Sequence, residues 1–166
     1  MRIISTLTLL VALAASAQAA NVLTMNFTSP LEAGLPGAVL NFTATITNND
    51  LVHDEYINSD SFTLSSGPVL NDSPFLANAP IFVARGATSS PAFLAFTVTI
   101  PLGQASGDYA GVFTIVGGPD GGAGTATDNL DEAPFTVQVV PEPATALVFG
   151  VALAGLGLFG RKQRAC

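Results

Sequence analysis

From Leu40 to Thr47 the side chains alternate without a break: Leu40, Phe42, Ala44 and Ile46 are apolar, and Asn41, Thr43, Thr45 and Thr47 are polar. Successive side chains of an extended chain point to opposite faces, so this run reads as a strand with one buried and one wet face. The same period places Ala92, Leu94, Phe96, Val98 and Ile100 on one face of a second strand, with Phe93 and Ala95 opposite. That second face is itself partly apolar, as expected of a more central strand. Residues 109–116 and 135–140 are two more strands by this criterion, and residues 22–28, 61–64 and 81–84 are further candidates. Turn signals separate them at Leu35-Pro36-Gly37, Asn48-Asn49-Asp50, Gly67-Pro68 and Gly117-Gly118-Pro119. No stretch between them sustains a helical period. About seven short strands joined by turns predict an all-β fold, an antiparallel sandwich. Its expected core is Phe42, Ile46, Leu94, Phe96, Val98, Phe113, Ile115 and Val137.

This domain, residues 20–140, is long enough to stand on burial alone. It has to, because the one cysteine is Cys166, outside it, and no disulfide can staple it. Residues 20–140 carry eleven acidic residues against one basic residue, Arg85, a net charge of −10. A surface so acidic repels phosphate backbones and excludes nucleic acid as a partner.

Both ends are apolar runs outside the domain. Arg2, an uncharged stretch from Ile3 to Ala14 and the small-x-small site Ala17-Gln18-Ala19 form a signal peptide, residues 1–19, cut by signal peptidase after Ala19 or Ala20. At the other end, Pro141-Glu142-Pro143 can continue neither a helix nor a central strand and makes a stiff exposed spacer. Residues 144–160 are seventeen residues without a charge. As a helix they are about 26 Å long, close to the hydrocarbon thickness of a bilayer, and predict a single transmembrane helix. Arg161, Lys162 and Arg164 follow and stop transfer, which leaves residues 20–140 on the far side of the membrane.

Pro141-Glu142-Pro143, a short Gly-rich apolar helix and a basic C-terminal cluster, in that order, resemble the PEP-CTERM sorting signal across residues 141–166. The resemblance implies recognition by exosortase, an enzyme of the membrane, cleavage near the Pro-Glu-Pro motif, and a bacterium that makes extracellular polysaccharide. Within the domain, residues 36–48 resemble a B-strand region of bacterial Ig-like surface domains, and Gly107-Asp108-Tyr109-Ala110-Gly111-Val112-Phe113 resembles their late strand. These two segments imply an Ig-like architecture only, since the antibody-type Cys–Trp–Cys core is absent.

Residues that could carry chemistry are few. His53 is the one histidine, beside Asp54 and Glu55, so a multi-histidine metal site is excluded, and no nucleophile elbow accompanies it. The acidic glycine-rich stretch at residues 120–132 offers Asp120, Asp128, Asp131 and Glu132 as candidate calcium ligands. It lacks the EF-hand spacing, and a flexible solvated connection is the preferred reading. No cofactor motif is present. Two functional classes remain open. One is a non-catalytic surface or extracellular-matrix protein associated with exopolysaccharide. The other is a calcium- or carbohydrate-binding surface module, for which Tyr56, expected in a loop, is the visible aromatic.

Overall fold

The computed structural model describes residues 21–119, 127–142 and 148. The signal peptide with Ala17 and Ala19, nearly all of the helix expected at residues 144–160, and Arg161, Lys162 and Arg164 lie outside the described residues, as do Asp120 and Pro143. Among the described residues no helix is long and apolar enough to cross a membrane.

Two sheets make up the domain. The first has strand order β1 (Leu23–Phe27), β3 (Val39–Asn48), β7 (Phe93–Thr99), β5 (Val69–Asn71). The second has order β2 (Leu31–Gly34), β9 (Asp128–Val139), β8 (Gly107–Pro119), β4 (Glu55–Leu64), β6 (Phe82–Val83). A six-residue helix, α1 (Ser73–Asn78), follows β5. The expected all-β sandwich is present, and its core is built on phenylalanine rings drawn from both sheets. Phe96 of β7 stacks on Phe42 of β3 at 4.7 Å, on Phe113 of β8 at 4.9 Å, and meets Phe135 of β9 at 4.8 Å. Each such ring contributes its full apolar area, roughly 1.5–3 kcal/mol, with a further increment from offset or edge-on geometry.

The expectation of a wholly antiparallel sandwich is corrected at one place: β2 pairs with β9 in parallel. Residues 28–30 alone separate β1 from β2, and they carry the chain from the first sheet to the second without a hairpin between the two strands. Pro30 supplies no N–H for a strand ladder, but its carbonyl accepts the Thr136 amide at 2.8 Å. The chain therefore keeps its direction while changing sheets.

A second correction concerns Leu94. The β3–β7 register shifts between Phe42, which pairs with Phe96, and Thr43, which pairs with Leu94. Ala95 is the extra residue of this bulge, so Ala95 and Phe96 are both buried. Beyond the bulge the alternation inverts: Phe93 packs against the core and Leu94 is only half-buried. The other seven predicted core residues are fully buried.

Strand β4 is longer than the expected segment at 61–64 and takes in Tyr56, which is a strand residue and not a loop residue. Strand β9 likewise begins at Asp128, seven residues before the expected start at Phe135. In α1, Pro74 stands in the first turn, where its missing N–H costs nothing. Phe75 anchors the helix, 5.1 Å from Phe113.

Candidate functional site

Strand β9 is the last element of the domain. The Val140 amide still donates to the Gly34 carbonyl at 2.9 Å, and after it Pro141 and Glu142 are exposed and outside both sheets. The sorting motif thus starts where backbone pairing ends. Neither proline can add a ladder bond, which keeps the junction from being drawn into the sheet.

The four candidate calcium ligands are not used alike. A bulge in the β8–β9 register, where Ile115 pairs with Asp131 and Val116 with Asn129, makes Leu130 the extra residue. Leu130 and Asp131 consequently both turn inward and are buried. The Asp131 carboxylate accepts Asn21 Nδ2 and the Met25 amide, each at 2.6 Å. Asp128 and Glu132 are exposed on the strand, and Glu132 accepts Asn129 Nδ2 at 2.7 Å. Among the described residues no three His, Cys, Asp or Glu side chains come together as a metal site.

His53 lies on the turn between β3 and β4, its Nδ1 2.9 Å from Asp50 Oδ2. That contact and the Val52 amide hold the Asp50 carboxyl below its ordinary range. Arg85 donates its amide to Asp54 Oδ1 at 3.0 Å and a guanidinium N–H to the Val52 carbonyl at 3.1 Å. These residues, with Glu55 and Asp128, gather at one pole of the sandwich. The Asp50 and Arg85 contacts organise the loop that carries His53, Asp54 and Glu55.

Two features escaped the sequence reading. Tyr56 and Phe82 are a cross-strand pair whose rings lie 5.6 Å apart, tilted by 34°. They face away from the core, since their neighbours Glu55 and Val83 are the buried ones. The Ile81-Phe82-Val83 triplet was the available signal. The other is Asp60, which pairs with core residue Ile115 and so faces inward. Its Oδ2 is buried with no hydrogen-bond partner among the described residues. Burial, and secondarily the Asp72 charge, push its carboxyl up to about 6. A small cavity of about 110 Å³ beside α1 is lined by Ile57, Asn58, Phe75, Leu76 and Ile81 and has no titratable group. It is smaller than the roughly 300–1,000 Å³ of a typical small-molecule site.

Among solved structures, the chain is similar to WR4, a C. elegans MSP family member, at 14% identity over 70% of this chain and 97% of that one, TM-score 0.39. It is similar to a family 123 glycoside hydrolase from Clostridium perfringens at 12% identity, over 72% of this chain and 28% of that one, TM-score 0.40. It is also similar to an ASH/PapD-like domain of human CEP192 at 10% identity, over 86% and 99% of the two chains, TM-score 0.40. No curated protein matches the chain. The family model of the PEP-CTERM protein-sorting motif matches residues 139–164, beginning on the final residue of β9. The chain carries a PEP-CTERM sorting tail, which implies an exported, membrane-anchored protein processed by exosortase.

Proposed function

We propose that the chain is a non-catalytic surface or extracellular-matrix protein, held at the membrane by residues 144–160 until exosortase cuts near Pro141-Glu142-Pro143, and associated thereafter with extracellular polysaccharide. The observation that carries this reading is the coincidence of two boundaries. The sorting motif match begins at Val139, where β9 ends, and the next exposed residues are Pro141 and Glu142. A protease or transpeptidase needs extended, unpaired backbone, and a cut there leaves every strand of the domain intact. Signal peptidase removes residues 1–19. The basic end, Arg161, Lys162 and Arg164, resists transfer at about 2.5–3.5 kcal/mol per charge at mid-membrane and holds the orientation. The reading as non-catalytic is supported by composition: the one histidine sits on an exposed turn against Asp50.

Changing Pro141, Glu142 and Pro143 together to Ala should leave export intact and block processing. Immunoblots of membrane and released fractions, in a host that has exosortase, read the outcome. Wild-type protein that keeps residues 144–166 indefinitely would replace sorting with a permanent anchor.

The Tyr56–Phe82 pair favours a second reading, a carbohydrate-binding module. Phe82 is 47% exposed and its ring with Tyr56 offers a hydrophobic face of the kind sugars stack on. Retardation in gels cast with the host's own polysaccharide should then disappear in Tyr56→Ala; unchanged migration of wild-type protein removes this reading.

A further inference from the structure

We infer that the pole from which the tail departs rests on the lipid surface while the protein is anchored. The inference depends on the anchoring reading above and adds an orientation and a contact to it.

Three loops, residues 35–38, 65–68 and 101–106, surround the point of departure. The Val140 amide is bonded to Gly34, and the Gly37 amide to Ile100 at 2.8 Å. Val39 of β3 and Val69 of β5 both pair with Thr99, just before the third loop. Leu102 lies over Gly37, where an added Cβ would meet its Cδ2 at 2.9 Å. None of the three loops contains a charged residue. Leu35, Val39, Val69 and Leu102 are exposed there, Leu102 by 85%. The tip is held in shape: Gln104 Nε2 donates to the Tyr109 hydroxyl at 2.6 Å, and that hydroxyl donates to the Ala105 carbonyl at 2.9 Å. Asp108, at the base of β8, accepts Gln138 Nε2 at 3.1 Å.

The opposite pole has the reverse character. Asp50, Asp54, Glu55, Asp128 and Asp131 are found at that end, against Arg85 and His53. Leu51 and Val52 are exposed there too, but among these charges. An anionic bilayer surface repels the acidic pole more strongly than the pole of the three uncharged loops, where Asp108 and Glu142 are the acids, and this difference favours the orientation with the loops toward lipid.

The length of the connector fixes how close the three uncharged loops come. Three residues, 141–143, separate Val140 from the first residue of the uncharged run. A three-residue connector at about 3.1 Å per residue reaches roughly 9 Å at most. The headgroup layer on one side of a bilayer is about 5–8 Å thick. The connector is used up in crossing it, and the exposed leucines and valines reach the interface, where apolar side chains settle roughly 5–10 Å into the headgroup–acyl boundary.

The test uses the full chain in vesicles of phosphatidylethanolamine and phosphatidylglycerol, in a Cys166→Ser background. A fluorophore is placed at Leu102→Cys, and in a separate sample at Leu51→Cys at the acidic pole. Lipids bearing a nitroxide near the headgroup should quench the Leu102 probe about twofold or more over the Leu51 probe, given that interfacial depth. Protease protection of residues 161–166 inside the vesicles reports anchoring independently. Protected tails with equal quenching at the two positions would overturn the inference and leave anchoring standing. Tails that are not protected would overturn both. Contact between Leu102 probes on two chains without quenching would assign the pole to a second copy, and the inference would fail.

Discussion

The Asp131 carboxylate reaches from β9 in one sheet to β1 in the other and accepts the Met25 backbone N–H at 2.6 Å. Its second oxygen takes Asn21 Nδ2 at the same distance. Met25 belongs to an edge strand, and Asp131 therefore supplies an acceptor that no neighbouring strand provides. Hydrogen bonds to a charged group are worth about 1.5–3 kcal/mol each, and leaving a buried N–H without a partner adds its own cost. Asp131→Ala should destabilise the domain by about 3 kcal/mol in urea unfolding. A loss under about 1 kcal/mol would show that water replaces the carboxylate at no cost.

Phe96 is the hub of the ring cluster, in contact with Phe27, Phe42, Phe113 and Phe135. Phe96→Ala should cost about 3–5 kcal/mol, because four neighbouring rings cannot all collapse into the space. The midpoint of denaturant unfolding checks this, with Leu94→Ala as the comparison. Leu94 is half-buried beyond the bulge and should cost clearly less. Equal effects would place Leu94 in the core after all.

Asp60 predicts a pH dependence of stability. Its carboxyl titrates at about 6 in the folded chain, against an ordinary 3.8. The folded state therefore holds the proton more tightly than the unfolded state. The contribution of Asp60 to stability is greatest below about pH 4, falls as pH rises through the interval between the two values, and stays reduced above it. The full shift corresponds to about 3 kcal/mol, but the side chain is partly solvated and screening reduces this to about 1 kcal/mol. Asp60→Asn should raise stability by that amount at pH 7 and leave it nearly unchanged at pH 4. Thermal melts of both proteins at the two pH values decide it; an equal gain at both would remove the proton from the explanation.

Much of the sandwich was legible because its central strands obey period two with apolar side chains, as Leu40, Phe42, Ala44 and Ile46 do. What could not be read has physical causes at particular residues. Glu55 and Asp60 stand at inward positions of β4 where a strand pattern calls for apolar groups, so the first half of that strand looked like loop. Asp131 does the same in β9, and Asp128-Asn129-Leu130-Asp131-Glu132 consequently read as an acidic connection. The bulges at Ala95 and Leu130 invert the face assignment on either side, and bulges have no single-residue signature. Helix α1 is six residues long and cannot display a helical period. The junction was legible because a proline pair flanking Glu142 forbids both regular structures, whatever surrounds it.

The parallel seam between β2 and β9 ties the order of folding to the order of emergence. A chain that crosses a membrane N-terminus first delivers β2 early, yet the strand that completes its side of the sheet is the last to arrive. Strand β9 inserts between β2 and β8, so the second sheet has a gap until residue 139 is across. Such long-range pairing is slow to form even when both partners are present. In the sequence, four residues, 140–143, lie between the end of that strand and the uncharged run. Under the proposed anchoring, closure of the sheet and arrest of translocation fall at the same point in the sequence, and a domain lacking its final strand would be open along one seam.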